Sequence, residues 1–210
     1  MLGTNLAFAA RGDAPKVFTV TSPLPGEGKT TVAANLALTL ARRGARVLLV
    51  DGDLRHGTIA TVFGFAREPG LSEVLLGIVP LGKAMHSIVV GEMGCLHVLS
   101  RGRVCGNPLH LLDSMRSYSL LGSLRQEYDS IIVDTPPANV VADASVIGAH
   151  SDGVIVVARA AVTEGQALAF AVNQLAHVRA PVVGAVLNDI DFRRDAAYDD
   201  AYRYYASSDG

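Results

Sequence analysis

Short apolar runs alternate with longer helical patterns along most of the chain. Runs rich in β-branched residues predict six strands, at residues 16–21, 46–50, 96–100, 130–134, 153–158 and 182–188. Apolar residues at helical spacing predict helices at residues 29–43, 72–77, 108–127, 141–149 and 163–178. Several strands are apolar at nearly every position, which is typical of parallel strands buried on both faces. The alternation predicts an α/β fold, in which helices flank a doubly wound, mostly parallel sheet.

The composition divides the chain into one large body and a short end segment. Half of the 210 residues are apolar, which is enough for one compact domain with a full core. Beyond about Ile190 the aliphatic residues give way to Asp, Arg, Tyr, Ala and Ser. We therefore predict a single domain over residues 1–190 and a flexible, tyrosine-rich tail over residues 191–210.

Charge, cysteines and hydropathy narrow the classes of function. The formal net charge of −2 gives no support for a nucleic-acid-binding protein, because basic and acidic residues nearly cancel. The two cysteines show no CxxC spacing and predict reduced thiols. No signal peptide is recognisable, and no apolar run approaches the roughly 20 residues of a membrane helix. We expect a cytoplasmic protein that does not itself span a membrane.

A phosphate-binding loop is predicted between the first strand and the first helix, where residues 22–31 read SPLPGEGKTT. Glycines allow backbone N–H groups to turn towards a phosphate, and the N-terminus of the following helix adds partial positive charge. We expect Lys29 to contact nucleotide phosphates and the Thr30 hydroxyl to bind Mg²⁺. Pro23 replaces the usual first glycine of the GxxxxGK[ST] pattern. The predicted nucleotide contacts in the loop are Pro25, Gly26, Glu27, Gly28, Lys29, Thr30 and Thr31.

Two further strands end in carboxylates. The second strand runs into Asp51-Gly52-Asp53, and the fourth ends in Asp134. The carboxyl ends of parallel strands lie at the edge of the sheet where ligands bind in α/β proteins. Asp134 has the form of a Walker B aspartate, which holds Mg²⁺ directly or through water. Residues two apart on a strand share a face, so one of the first two carboxylates is expected to support the metal and the other to act as a base.

These features together resemble one family. The phosphate loop, Asp51-Gly52-Asp53-Leu54-Arg55 and Asp134-Thr135-Pro136-Pro137 are similar to the motifs of the bacterial tyrosine kinases (BY-kinases) of capsule and exopolysaccharide synthesis. Those kinases are relatives of the MinD/ParA ATPases. The likeness covers most of the chain and implies a MinD-like P-loop NTPase fold that uses ATP and Mg²⁺.

The resemblance also implies roles for individual residues. The implied catalytic residues are Lys29, Asp51, Asp53 and Asp134. Thr30, Asp51 and Asp134 would hold the metal, and Asp53 would accept the proton of a tyrosine hydroxyl. Arg55 and Asn188 would complete the nucleotide site, and Asn188 would touch the adenine.

The end of the chain carries the implied acceptors. Four of the six tyrosines, Tyr198, Tyr202, Tyr204 and Tyr205, lie within eight residues, among acidic and small residues. The resemblance implies an ATP-dependent protein-tyrosine kinase that autophosphorylates this cluster and thereby regulates polysaccharide synthesis and export. The alternative for the segment is structural: the rings would dock on a partner or pack as an irregular amphipathic turn.

The family also implies partners. One is a membrane-bound polysaccharide co-polymerase (Wzz-like), which would act as an activator in trans at the inner face of the cell membrane. Further copies of the chain would bind through contacts between the tail of one copy and the active site of another. The third partner is a cognate tyrosine phosphatase. Two departures put the usual ring assembly in doubt: Gly3 where an arginine is expected, and a basic stretch reduced to Arg55-His56-Gly57. The alternative function is a MinD/ParA-like ATPase switch or scaffold without tyrosine kinase activity. Leu24, at the position of the signature lysine of MinD, argues against that alternative.

Overall fold

The structure, a computed structural model, describes residues 16–91, 94–104 and 106–191. Its strands are β1 (Lys16–Thr21), β2 (Arg46–Asp51), β3 (Met85–Val90), β4 (Gly94–Leu99), β5 (Ser130–Asp134), β6 (Gly153–Arg159) and β7 (Val182–Asn188). Its helices are α1 (Lys29–Arg42), α2 (Ile59–Phe63), α3 (Leu71–Leu76), α4 (Leu81–Ala84), α5 (Pro108–Leu112), α6 (Met115–Glu127), α7 (Asp143–Ala149) and α8 (Gly165–His177). The predicted tail lies outside the described residues, apart from Asp191.

All seven strands form one sheet in the order β3-β4-β2-β5-β1-β6-β7. Every neighbouring pair is parallel except β3 and β4, which are antiparallel. The predicted doubly wound, mostly parallel sheet is therefore confirmed. Among the described residues, no helix combines the length and the apolar character needed to cross a bilayer.

Helices cover both faces of the sheet because its central strands are apolar on both sides. On β5, Ile132 belongs to the core formed with α1, whereas Ile131 belongs to the core that includes Leu124 of α6. Both isoleucines are fully buried. Burial of such a side chain contributes roughly 1.5–3 kcal/mol, so these alternating rows fix β5 in the middle of the sheet.

The structure differs from the prediction at the edge of the sheet and in one helix. The strand β3 was not predicted, because it is an edge strand with only part of each face buried. The helix predicted over residues 108–127 is divided into α5 and α6. Ser114 separates them, because its Oγ accepts a hydrogen bond from Ser117 N at 3.2 Å and so caps a new helix. The short helices α2 and α4 were also not predicted.

Candidate active site

The phosphate loop takes its shape from two glycines. It connects β1 to α1, and both Gly26 (φ 81°) and Gly28 (φ 92°) adopt left-handed backbone conformations that other residues rarely adopt. Gly28 is the N-cap of α1, so Lys29 and Thr30 are the first two residues of the helix. The helix N-terminus therefore opens directly onto the loop, as phosphate binding requires.

Glu27 holds this loop from inside. Its side chain is buried, and its Oε2 accepts a hydrogen bond from Leu24 N at 2.8 Å. Its Oε1 accepts a hydrogen bond from the hydroxyl of Thr163, which lies just before α8. The carboxylate of Glu27 is thus used within the protein, which leaves its backbone as the part suited to the predicted nucleotide contact.

Three carboxylates meet beside the loop. Asp51 and Asp134 are the last residues of β2 and β5 and are paired in register. Thr30 Oγ1 donates a 2.6 Å hydrogen bond to Asp134 Oδ2. Lys29 Nζ lies 3.7 Å from Asp53 Oδ2. The structure therefore brings the predicted catalytic residues to one edge of the sheet, where Lys29 is the one amine in contact with them among the described residues.

Burial makes the charges of this group costly. Asp51 and Asp134 are fully buried, and Asp53 is 3% exposed. Burial, with a smaller contribution from the charge of Asp134, raises the pKa of Asp51 to about 7. Burial also raises the pKa of Asp134 to about 6, although Lys29 and the Thr30 hydroxyl act in the opposite direction. A further cation near these carboxylates would favour their ionised forms.

The oxygens that remain unpaired fit a hard divalent cation. Oδ1 of Asp51 and Oδ1 of Asp134 are buried and accept no hydrogen bond from the part of the chain that the structure describes. Unpaired buried carboxylate oxygens are costly, and Mg²⁺ is bound in proteins through one or two carboxylates and several waters. The donor set of Asp51, Asp134 and the Thr30 hydroxyl therefore fits magnesium.

A tight loop after β2 orients Asp53. Its Oδ1 accepts hydrogen bonds from Arg55 N at 3.2 Å and from His56 N at 2.8 Å. Gly57 N donates to the backbone oxygen of Asp53 at 2.7 Å, which closes the turn. The carboxylate of Asp53 thus keeps one oxygen on the loop and the other towards Lys29.

Arg55 is held by a residue for which no role was predicted. Its Nε and Nη2 donate to the two carboxylate oxygens of Asp143, at 2.9 and 3.2 Å. Asp143 is fully buried at the first position of α7. The contact anchors the loop to α7, so the predicted nucleotide contact of Arg55 would share the guanidinium with Asp143. The sequence contained no signal for this pairing beyond the presence of an acidic residue at a helix start.

The remaining predicted residues lie around the loop. Asn188 ends β7, and its Nδ2 donates to the backbone oxygen of Glu27 at 3.1 Å. Pro25 and Gly26 are exposed at the crest of the loop, and Thr31 is exposed in the first turn of α1. The contact of Asn188 with adenine stays a prediction. The four predicted acceptor tyrosines lie outside the described residues.

Comparison with curated proteins decides the family. The family model described as "AAA domain" matches residues 16–181. The tyrosine-protein kinase YwqD of Bacillus subtilis is 36% identical over 98% of this chain and 84% of its own length. The chain belongs to the bacterial tyrosine-protein kinases. The tyrosine-protein kinase etk of Escherichia coli is 34% identical over 94% of the chain, but the chain spans only 27% of the length of that relative.

Solved structures agree with this family. The kinase domain of Escherichia coli ETK superposes with a TM-score of 0.84 at 34% identity, over 90% of this chain and 73% of that domain. MinD of Pyrococcus horikoshii, solved with Mg-ADP, gives a TM-score of 0.66 at 26% identity, over 82% of this chain and 70% of MinD. The predicted MinD-related fold and the predicted enzyme class, protein-tyrosine kinase, are confirmed for this bacterial tyrosine kinase. Nucleotide and magnesium binding in general are supported, whereas the individual contacts stay predictions.

Proposed function

We propose that this chain transfers the γ-phosphoryl group of ATP to the hydroxyls of its own C-terminal tyrosines, Tyr198, Tyr202, Tyr204 and Tyr205. The observation that carries the proposal is the 3.7 Å approach of Lys29 Nζ to Asp53 Oδ2, at the sheet edge where Asp51 and Asp134 meet. A phosphate-binding amine and a carboxylate base are thereby within reach of one reacting group. Phosphoryl transfer depends mainly on such positioning and on charge neutralisation.

Each side chain has one part in this reaction. Lys29 and the N–H groups of the loop hold the phosphates, and Asp53 accepts the proton as the tyrosine oxygen bonds to phosphorus and ADP leaves. Asp53 is suited to this role because two backbone N–H groups fix its other oxygen. When bound by Thr30, Asp51 and Asp134, Mg²⁺ neutralises negative charge on the phosphates.

The cellular setting follows from the same family. We infer a role in the control of capsular or exopolysaccharide synthesis, with a membrane-bound polysaccharide co-polymerase as activator in trans at the inner face of the membrane. The curated relatives named as tyrosine-protein kinases support this setting. The proposal also includes contacts between copies, in which the tail of one copy binds in the active site of another. A phosphatase would reverse the modification.

Phosphorylation of the tail would act through charge. Each phosphate adds about −1.5 to −2 charges at neutral pH, so four phosphates add roughly −6 to −8. That change is large beside the formal net charge of −2. Phosphorylated tails would be repelled by one another and by the acidic site. An assembly in which tails bind in active sites would therefore be weakened.

A second candidate function is an ATPase switch or scaffold, which the match to MinD favours. The two functions differ in the fate of the phosphate. A switch would release inorganic phosphate and leave the tyrosines unmodified, whereas a kinase would place phosphate on them.

Mass spectrometry of the tail after incubation with Mg-ATP, with and without a cytoplasmic fragment of a candidate activator, tests the proposal. We expect phosphotyrosine in the wild type and none in Lys29→Met, because the amine that holds the phosphates is lost. Lys83→Met is the matched control, since Lys83 is exposed on α4. Replacing the four tail tyrosines with Phe should leave ATP binding intact. Unchanged tail phosphorylation in Lys29→Met would exclude the proposed site, and ATP turnover without phosphotyrosine would favour the switch.

A further inference from the structure

Gly57 is a buried glycine, and its backbone conformation does not explain why a glycine occupies this position. It lies in the loop between Asp53 and α2, and its φ is outside the left-handed region that favours glycine. A left-handed backbone is therefore not what requires glycine here. The reason for a glycine at this position must lie in its surroundings.

The surroundings are the carboxylate of Asp51. A Cβ on Gly57 would lie 2.1 Å from Oδ1, 2.4 Å from Cγ and 2.5 Å from Oδ2 of Asp51. Contacts below 3.0 Å do not occur for real Cβ atoms, so one of the two groups would have to move. The backbone of Gly57 thus packs directly against the whole carboxylate.

Asp51 has little freedom to move away. It is fully buried at the end of a central strand, and its Oδ2 accepts a hydrogen bond from Ile59 N at 3.1 Å. Its neighbour across the sheet is Asp134, a second buried carboxylate. A displaced carboxylate would lose the bond to Ile59, at a cost in free energy.

We propose that Gly57 is a positioning residue for Asp51, and that its missing side chain leaves the space in which this carboxylate keeps Oδ1 available to a divalent cation. The link to magnesium rests on the proposed function. The steric link between Gly57 and Asp51 does not depend on that function and is tested separately.

A double-mutant cycle in thermal unfolding tests the steric link. With EDTA present, Gly57→Ala should lower Tm by about 5 °C or more, since about 1 kcal/mol corresponds to roughly 2–4 °C in a chain of this size. In Asp51→Ala protein the same change should lower Tm by less than about 1 °C, because the clashing group is absent. Equal losses of Tm in the two backgrounds would overturn the proposal.

Nucleotide binding tests the link to the metal. For a fluorescent ADP analogue, we expect Gly57→Ala to raise the half-saturating Mg²⁺ concentration about tenfold or more, with less than a twofold change in affinity in EDTA. Gly122→Ala is the matched control, because a Cβ there meets nothing within 4 Å in α6. An unchanged Mg²⁺ dependence in Gly57→Ala would overturn the metal part. If nucleotide binding to the wild type did not depend on Mg²⁺, both the metal part of this proposal and the proposed metal site would be overturned. The unfolding cycle would still decide the steric claim.

Discussion

The two ends of the same sheet treat aspartate in opposite ways. At the amino end, Asp129 and Asp152 each accept two hydrogen bonds from the guanidinium of one arginine. At the carboxyl end, Asp51, Asp53 and Asp134 share one lysine among the described residues. The residue type is the same at both ends, so the difference lies in burial and in how completely the charges are matched.

The amino end of the sheet, where arginines match the aspartate charges (the matched end), is exposed. The side chain of Asp129 is 48% exposed, and the hydrogen bond from Arg46 lowers its pKa below the ordinary value. Such surface pairs contribute little to stability because water and salt screen them.

The carboxyl end of the sheet, where the carboxylate charges are not fully matched (the unmatched end), is buried. Burial raises the pKa of Asp51 and of Asp134, so folding works against the ionised forms of both. A protein retains such a cost where the group has a task, and strongly shifted carboxylates cluster at functional sites. The comparison therefore supports the proposed site at the carboxyl end and predicts that stability and activity respond in opposite directions there.

The largest expected effect is on catalysis. Asp53→Asn should lower the initial rate of tail phosphorylation by about a hundredfold or more, because the amide cannot accept the tyrosine proton. Asp129→Asn, the same substitution at the matched end, is the control and should keep the wild-type rate. Phosphotyrosine is followed by mass spectrometry over time. A rate for Asp53→Asn within a factor of about three of the wild type would remove the base from the mechanism.

A smaller effect is expected on stability at the unmatched end. In the folded protein the pKa of Asp51 is about 7, compared with an ordinary value of 3.8. The folded protein therefore keeps the Asp51 proton at pH values at which the unfolded chain has lost it. This stabilisation is present below the ordinary value and is lost as pH rises through 7. Asp51→Asn should therefore raise the free energy of unfolding in EDTA by on the order of 2 kcal/mol at pH 8, with little gain at pH 4. Urea unfolding at both pH values measures this, and an equal gain at both would contradict the burial argument.

The smallest effect is expected at the matched end. Asp129→Asn removes one charge of an exposed pair but keeps an oxygen that can accept the hydrogen bond from Arg46 N. Tm at pH 7 should change by less than about 2 °C, because exposed pairs contribute little. Thermal unfolding in low and high salt measures it. A loss of more than about 5 °C would show that the matched end is also under strong electrostatic control.

Much of the site could be predicted because its parts are local in sequence. A strand followed by GEGKT predicts the loop, and the strand ends predict where Asp51 and Asp134 lie, since parallel strands end at a common edge. The edge strand β3 escaped prediction because its apolar pattern is only half buried. The division between α5 and α6 was visible in principle, as Ser114 is a residue that favours N-caps.

The supporting contacts could not be predicted because they join distant segments. Arg55 and Asp143 are 88 positions apart, and Glu27 and Thr163 are 136 positions apart. The need for glycine at position 57 depends on the path of a loop against one carboxylate. Motifs identify the candidate catalytic groups, whereas the groups that hold them in place become visible only in the structure.

Calorimetric titration of a non-hydrolysable ATP analogue, with Mg²⁺ and with EDTA, tests the cation site most directly. If the unpaired carboxylate oxygens hold a divalent cation beside the phosphates, Mg²⁺ should strengthen binding to the wild type by at least about tenfold, or 1.4 kcal/mol. In the Asp51→Asn, Asp134→Asn double variant the strengthening should be less than about twofold. Equal strengthening by Mg²⁺ in the wild type and the double variant would show that these two carboxylates do not form the metal site.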